Sequence, residues 1–187
     1  FASDGDGGSA NRVVRMAVPP SNAGVQFVWA TPSSFNNPHS IALHGRTGLL
    51  IVADRENHQL RLLRASDGAD LGAWGACGLH YGELGVPYGV RTHATLGGRD
   101  LLFVASYDNP ADGLHQRIVV LDVGHLDAKV GAASPCTLLQ TVVIDPVKFS
   151  GPHLLGVDDV TGDLYAALVS DAPKSTVLRF TCSSGCK

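Results

Sequence analysis

Two histidines stand out for the chemistry they could do together. His39 lies in "NNPHSIAL" and His153 in "SGPHLLGV", each directly after a proline. Two imidazoles that converge on one point make a metal site once a third ligand joins them. The alternative is that each imidazole hydrogen-bonds backbone within its own unit. Arg55 follows Asp54 in "VADRENHQL". A permanently charged guanidinium beside a cavity suits a carboxylate or a developing oxyanion, and the alternative is an ion pair with Asp54 or Glu56. The other histidines (His44, His58, His80, His93, His115 and His125) show no partner at an equivalent point of a repeat and read as loop or surface residues.

The elements that must position these groups are short and β-rich. Runs such as "RVVRMAV", "GLLIVAD", "QLRLLRA", "DLLFVAS", "RIVVLDV" and "DLYAALVS" recur between Gly, Pro, Asp, Asn and Ser. Helical periodicity is almost absent. Many short strands at even spacing point to an all-β sandwich, barrel or propeller, and repetition decides among them. "NNPHSIAL…GLLIVADRENHQLRLL" is echoed by "GVPYGVRTHATLGGRDLLFVASYDNPADGLHQRIVVL" and by "SGPHLLGVDDVTGDLYAALVSDAPKSTVLRF". The anchors Pro38-His39, Pro87-Tyr88 and Pro152-His153 are spaced by 49 and 65 residues. The expected fold is an all-β propeller of four-stranded blades. A blade remnant would cover residues 1–32, with blades at about 33–83, 84–148 and 149–187. The insertions "YDNPADGLHQ" and "GHLDAKVGAASP" are expected in exposed loops. In such a fold, equivalent points of successive inner strands ring one axis, so His39 and His153 would face a common cavity.

About three and a half blades do not close a ring, since propellers have roughly 4–8. The chain is then a fragment of a longer protein, a propeller completed by another chain, or an incomplete sequence. The fragment is the expectation, because residue 1 falls inside a repeat. The partner implied is the missing N-terminal half or a neighbouring chain, and exposed strand edges would promote that association.

Composition narrows the function classes. The chain has 187 residues, 44% hydrophobic and 17% charged, which is globular and long enough for a sizeable core. A formal charge of −3 offers no basic patch for nucleic acid and no polybasic membrane signal. No apolar run approaches the ~20 residues of a membrane-spanning helix. The four cysteines, Cys77, Cys136, Cys182 and Cys186, allow two disulfides in three connectivities. Cys77 and Cys136 both follow a predicted blade and can pair. Cys182 and Cys186 read as a local bridge or as two free thiols, lacking the second pair and spaced histidines of a zinc knuckle. Together they favour an oxidising compartment, the secretory pathway or the extracellular space.

The string "VADRENHQLRLL" resembles an NHL repeat. The longer "FNNPHSIAL…LLIVADRENHQLRLL" is similar to the peptidyl-α-hydroxyglycine α-amidating lyase domain of peptide-amidating enzymes. "FASDG" and "SDAPKSTVLRF" also resemble segments of that family. The resemblance is strongest over residues 35–63, moderate over 151–180 and poor over 76–148. It implies a propeller that is six-bladed when complete. It implies a zinc ion held by three histidines, a structural calcium, and cleavage of a peptidyl α-hydroxyglycine to a peptide amide and glyoxylate. His39 and His153 match two zinc ligands, and Arg55 matches an active-site arginine. Zinc would act on the substrate hydroxyl as a Lewis acid, a base would take its proton, and Arg55 would balance the carboxylate that leaves as glyoxylate.

The departures from that pattern are specific. Asp6 stands where the family has its catalytic tyrosine, Gly151 where it has a methionine, and Leu154 where it has a calcium-ligating aspartate. Gly7, Ile51 and Leu62 occupy its disulfide positions. The third zinc histidine, a further arginine and other calcium ligands would lie before residue 1. Tyr107, in "FVASYDN", sits at the turn position that Arg55 holds in "IVADREN", and stands in for the missing tyrosine. Tyr88, which sits where a neighbouring blade has histidine, is the weaker candidate. The competing function is a non-catalytic NHL-repeat propeller that binds protein or glycan on one rim.

Overall fold

The structure, a computed structural model, describes residues 1–5, 10–20, 24–74, 84–95, 97–107, 116–144, 151–169 and 176–181. Its strands run in chain order as β1 (Ala2–Asp4), β2 (Arg12–Ala17), β3 (Gln26–Ala30), β4 (Pro38–His44), β5 (Leu49–Asp54), β6 (Gln59–Arg64) and β7 (Asp70–Trp74). They continue as β8 (Val86–Ala94), β9 (Asp100–Tyr107), β10 (Gln116–Asp122), β11 (Thr137–Ile144), β12 (Pro152–Val157), β13 (Leu164–Leu168) and β14 (Val177–Phe180). Each sheet is an antiparallel meander of consecutive strands: β1-β2-β3, β4-β5-β6-β7, β8-β9-β10-β11 and β12-β13-β14. Two short 3-10 turns, Arg55–Asn57 and Gly131–Ala133, are the helical elements among the described residues. The chain is therefore an all-β propeller with its sheets as blades.

The run "LLIVAD" explains why the sheets stack. Every residue of β5 is buried, which an alternating half-exposed strand would not allow. Its two faces serve different neighbours. Leu50 and Val52 join Val13, Phe35 and Leu63 against the first sheet. Leu49, Ile51 and Ala53 join Leu102, Val104, Val119 and Leu121 of the third. The same division recurs in β9, whose Leu101 and Phe103 turn the other way and pack with Leu164, Ala166 and Leu168 of the fourth sheet. Apolar burial between blades is thus what holds the stack together.

The first strand of each sheet lies beside the first strand of the next: β1 with β4, β4 with β8, and β8 with β12. These inner strands approach closely. A Cβ added to Gly89 of β8 would come within 2.6 Å of the His153 carbonyl of β12. Across the other seam of β8, toward β4, the Val90 amide donates to Ser40 Oγ at 3.1 Å.

One insertion departs from expectation. "GHLDAKVGAASP" is not simply an exposed loop: Leu126 is buried in the core, and the Trp74 indole donates to the buried Ser134 carbonyl at 2.9 Å. The segment caps the outer strand β7, supplying Leu126, Ala128 and Ala132 as apolar cover. Residues 108–115 of the other insertion lie outside the described residues.

Candidate site at the inner strands

Three bulges build the site. In β4, Pro38 pairs with Asp54 and Ser40 with Ala53, so His39 is the extra residue. In β8, Pro87 pairs with Ser106 and Gly89 with Ala105, leaving Tyr88. In β12, Pro152 pairs with Leu168 and Leu154 with Ala167, leaving His153. A bulge frees one residue from the ladder and re-aims its side chain. Repeated at one point in three successive inner strands, it directs His39, Tyr88 and His153 at one another.

Their rings form a cluster. His39 and His153 have centroids 4.6 Å apart and planes at 87°. Tyr88 lies 5.1 Å from each imidazole. Tyr107 joins through Tyr88, at 4.5 Å. Arg55 completes the group, its Cζ 5.1 Å from the Tyr88 centroid, at the range of a cation–π contact. All five side chains are partly buried. His39 and His153 thus lie ring against ring, and Arg55 and Tyr107 join them through the Tyr88 ring. Tyr88, the weaker candidate by sequence, is the residue that touches all four.

Local bonding sets the state of these groups. His39 Nδ1 lies 2.9 Å from the Tyr88 carbonyl oxygen. A carbonyl only accepts, so Nδ1 carries a proton, and in the neutral imidazole Nε2 holds the lone pair. That tautomer is the one a metal-binding imidazole adopts when its other nitrogen is fixed by backbone. Burial, and then the nearby Tyr88 phenol, push Tyr107 up to about 12, so it is a neutral hydroxyl at pH 7.

Asp54 positions Arg55. Its carboxylate is fully buried and accepts from the Asn36 amide at 2.7 Å, Asn57 Nδ2 at 2.8 Å and Gln59 Nε2 at 2.9 Å. The Arg55 and Glu56 amides close the same turn on the Asn37 and Asn36 carbonyls. The turn ends at His58, in the left-handed region at φ 53°. Of the two ion pairs open to Arg55, the one formed is with Glu56: Nε and Nη2 each lie 2.7 Å from Glu56 Oε1. In the next blade Ser106 replaces Asp54, and its hydroxyl donates to the Leu84 carbonyl.

The two imidazoles and the His39 tautomer fit two corners of a zinc shell. Among the described residues, no group of three or more His, Cys, Asp and Glu side chains converges to hold an ion. Leu154 is 54% exposed and has no side-chain oxygen to offer calcium. Asp6, Gly7, Cys77, Cys182 and Cys186 lie outside the described residues. Cys136 is disulfide-bonded, to a partner also outside them.

The reading of the remaining histidines needs correction. His44 and His93 are themselves repeat partners, 49 residues apart like His39 and Tyr88. Both are buried, with side chains 3% exposed. Each meets an aspartate of the following blade: His44 Nε2 lies 3.1 Å from Asp100, and His93 Nδ1 3.4 Å from Asp159. With Arg46, Arg91 and Thr92 they line a cavity of about 340 Å³ at the far ends of β4 and β8.

Residues 35–61 match the NHL repeat. No curated protein matches the chain. Among solved structures, a luciferin-regenerating enzyme is 18% identical with a TM-score of 0.52, covering 86% of this chain and 48% of that one. A protein of unknown function from Bacteroides caccae is 14% identical with a TM-score of 0.41, covering 84% and 50%. The chain thus spans about half the length of these structures. Likeness at that identity concerns fold alone. Among the described residues, no helix is long and apolar enough to cross a membrane. Residues 35–61 are an NHL repeat, set in an all-β chain whose sheets are the blades of a β-propeller.

Proposed function

We propose that the protein is a zinc-dependent lyase of the peptidylamidoglycolate type, cleaving peptidyl α-hydroxyglycine to a peptide amide and glyoxylate. One observation carries the reading. His39, His153, Arg55 and Tyr107, which belong to three different blades, gather around the single ring of Tyr88. His39 and His153 would hold the zinc ion. When bound, zinc supplies Lewis-acid polarisation of a substrate hydroxyl and lowers its pKa. Arg55 orients the substrate's carboxylate, exchanging Glu56 for it. Tyr107 stays protonated at neutral pH and serves as a hydrogen-bond donor to the reacting group. The Asp54 turn and the Tyr88 carbonyl fix Arg55 and His39 before substrate arrives. The reaction moves the hydroxyl proton to the departing amide nitrogen as the carbon–nitrogen bond breaks and the carbonyl of glyoxylate forms. The disulfide at Cys136 supports placement in the secretory pathway or outside the cell, where the partner is a peptide substrate.

The test is glyoxylate release from an α-hydroxyglycine peptide with added zinc. Turnover by the protein, lost on His39→Ala or Arg55→Ala, supports the lyase. A properly folded protein with no turnover overturns it. A second reading, a non-catalytic propeller that binds protein or glycan, is favoured by Leu154, an exposed apolar residue where a calcium-ligating aspartate is expected. It predicts binding without turnover.

A further inference from the structure

We infer that the Tyr88 phenol oxygen is a third ligand for the ion held by His39 and His153. The inference rests on the zinc-binding part of the reading above, and goes beyond it in the donor it adds. β4, β8 and β12 each release one residue from the ladder at the same point, directly after a proline. The residues so released are His39, Tyr88 and His153. β8 is the inner strand between the other two, in contact with both. Its released residue, Tyr88, therefore lies between the two imidazoles, where its side chain can join a shell built by its neighbours.

The ring positions agree. The three centroids are separated by 4.6, 5.1 and 5.1 Å, so no ring is remote from the other two. The backbone of Tyr88 already serves the shell, because its carbonyl holds His39 Nδ1–H at 2.9 Å and leaves Nε2 for an ion. A single residue thus orients one ligand through its main chain and adds a second through its side chain. Arg55, over the Tyr88 ring, places positive charge beside the phenol. Tyr107 is not equivalent. It is the last residue of β9, pairs with Val86 in the ladder, and reaches the imidazoles only by way of Tyr88.

Two histidines and a phenol differ from a set of imidazoles in a visible way. A phenolate bound to copper(II) gives a charge-transfer band in the visible, and imidazole ligands alone do not. The probe is therefore copper(II), added at one equivalent to the full chain, with zinc affinity measured in parallel by competition with a chromophoric chelator. The Tyr88→Phe variant keeps the ring and its packing, and circular dichroism checks its fold. The expected result is a band in the parent and in Tyr107→Phe, absent from Tyr88→Phe and from His39→Ala. Zinc affinity should fall at least about tenfold in Tyr88→Phe, as for loss of a ligand or its support. A Tyr88→Phe protein that keeps the band and the affinity overturns the inference. So does a parent that binds zinc tightly yet shows no band with copper(II). The lyase reading fails separately: a band without glyoxylate release defeats the lyase and leaves Tyr88 a ligand, while glyoxylate release without a band does the reverse.

Discussion

The Tyr107 ring occupies the space that a side chain on Gly151 would need. A Cβ built on Gly151 falls among Tyr107 Cζ, Cε1 and the hydroxyl oxygen, closer than any real contact. The absence of a side chain at Gly151 is thus what leaves room for a tyrosine from β9. Gly151→Met should therefore disrupt the site, costing about 1–3 kcal/mol by overpacking. Adding Tyr107→Ala should recover part of that loss. Denaturant unfolding of both single variants and the double variant gives the coupling, expected at roughly 0.5–3 kcal/mol for residues in contact. Additive effects would show that the two do not compete for one space.

Asp54 should be the most sensitive polar residue of the NHL repeat. Its buried carboxylate takes three hydrogen bonds that fold the turn bearing Arg55. Asp54→Ala leaves those donors without their acceptor. A hydrogen bond to a charged group is typically worth about 1.5–3 kcal/mol, so a loss of at least that size is expected in thermal or denaturant unfolding. Any function that depends on Arg55 should fall with it. A variant as stable as the parent would mean that water or nearby backbone replaces the carboxylate.

The blades were legible because their signal is local. "GLLIVAD" and "DLLFVAS" read as short β-rich runs, and the Pro-His and Pro-Tyr anchors mark the inner strands β4, β8 and β12. The bulges were not legible, because a bulge is a relation between two strands and depends on which residues pair. Tyr88 ranks as the weaker candidate by sequence for a related reason: its residue type differs from its neighbours', while its backbone position does not. His44 and His93 did carry a signal, the same 49-residue spacing. It is obscured when repeats are compared only at their proline anchors. Burial of Leu126 shows no periodicity, since a loop segment packs by its path and not by a strand or helix pattern.

The His44–Asp100 contact should make stability fall on acidification in two stages. Burial outweighs the pull of Asp100 and holds His44 below its usual 6.5. Burial raises Asp100, but Arg46 and His44 overcome it and leave the carboxyl below its usual 3.8. At neutral pH the pair is therefore a neutral imidazole with an ionised carboxylate, and Arg46 carries the positive charge. Both groups bind protons less readily folded than unfolded, so both contribute stability that is lost as pH falls. His44 acts first, as pH drops through about 6.5 toward its folded value. Asp100 follows below about 3.9. Melting temperature measured from pH 8 to 4 should decline in the upper stage for the parent and be flatter for His44→Gln. An equally steep upper stage in that variant would show that His44 is not its source.

Glu56 should compete with any carboxylate that Arg55 binds. The Arg55–Glu56 pair has two guanidinium nitrogens, Nε and Nη2, on one oxygen, and Glu56 is 44% exposed. An exposed ion pair of this kind contributes only about 0–1 kcal/mol, so an incoming carboxylate can displace it. Glu56→Gln removes the competing charge and keeps the size. It should lower KM for a peptidyl α-hydroxyglycine by up to about fivefold, since about 1.4 kcal/mol is tenfold, with kcat nearly unchanged. Arg55→Lys should not substitute, because an ammonium lacks the planar fork that meets a carboxylate at two points. The measurement is steady-state glyoxylate release for the parent, Glu56→Gln and Arg55→Lys, at low and high salt. Salt should narrow the gap between the parent and Glu56→Gln by screening the exposed pair. A raised KM in Glu56→Gln would reverse the assignment: Glu56 would then be the residue that holds Arg55 in place for substrate.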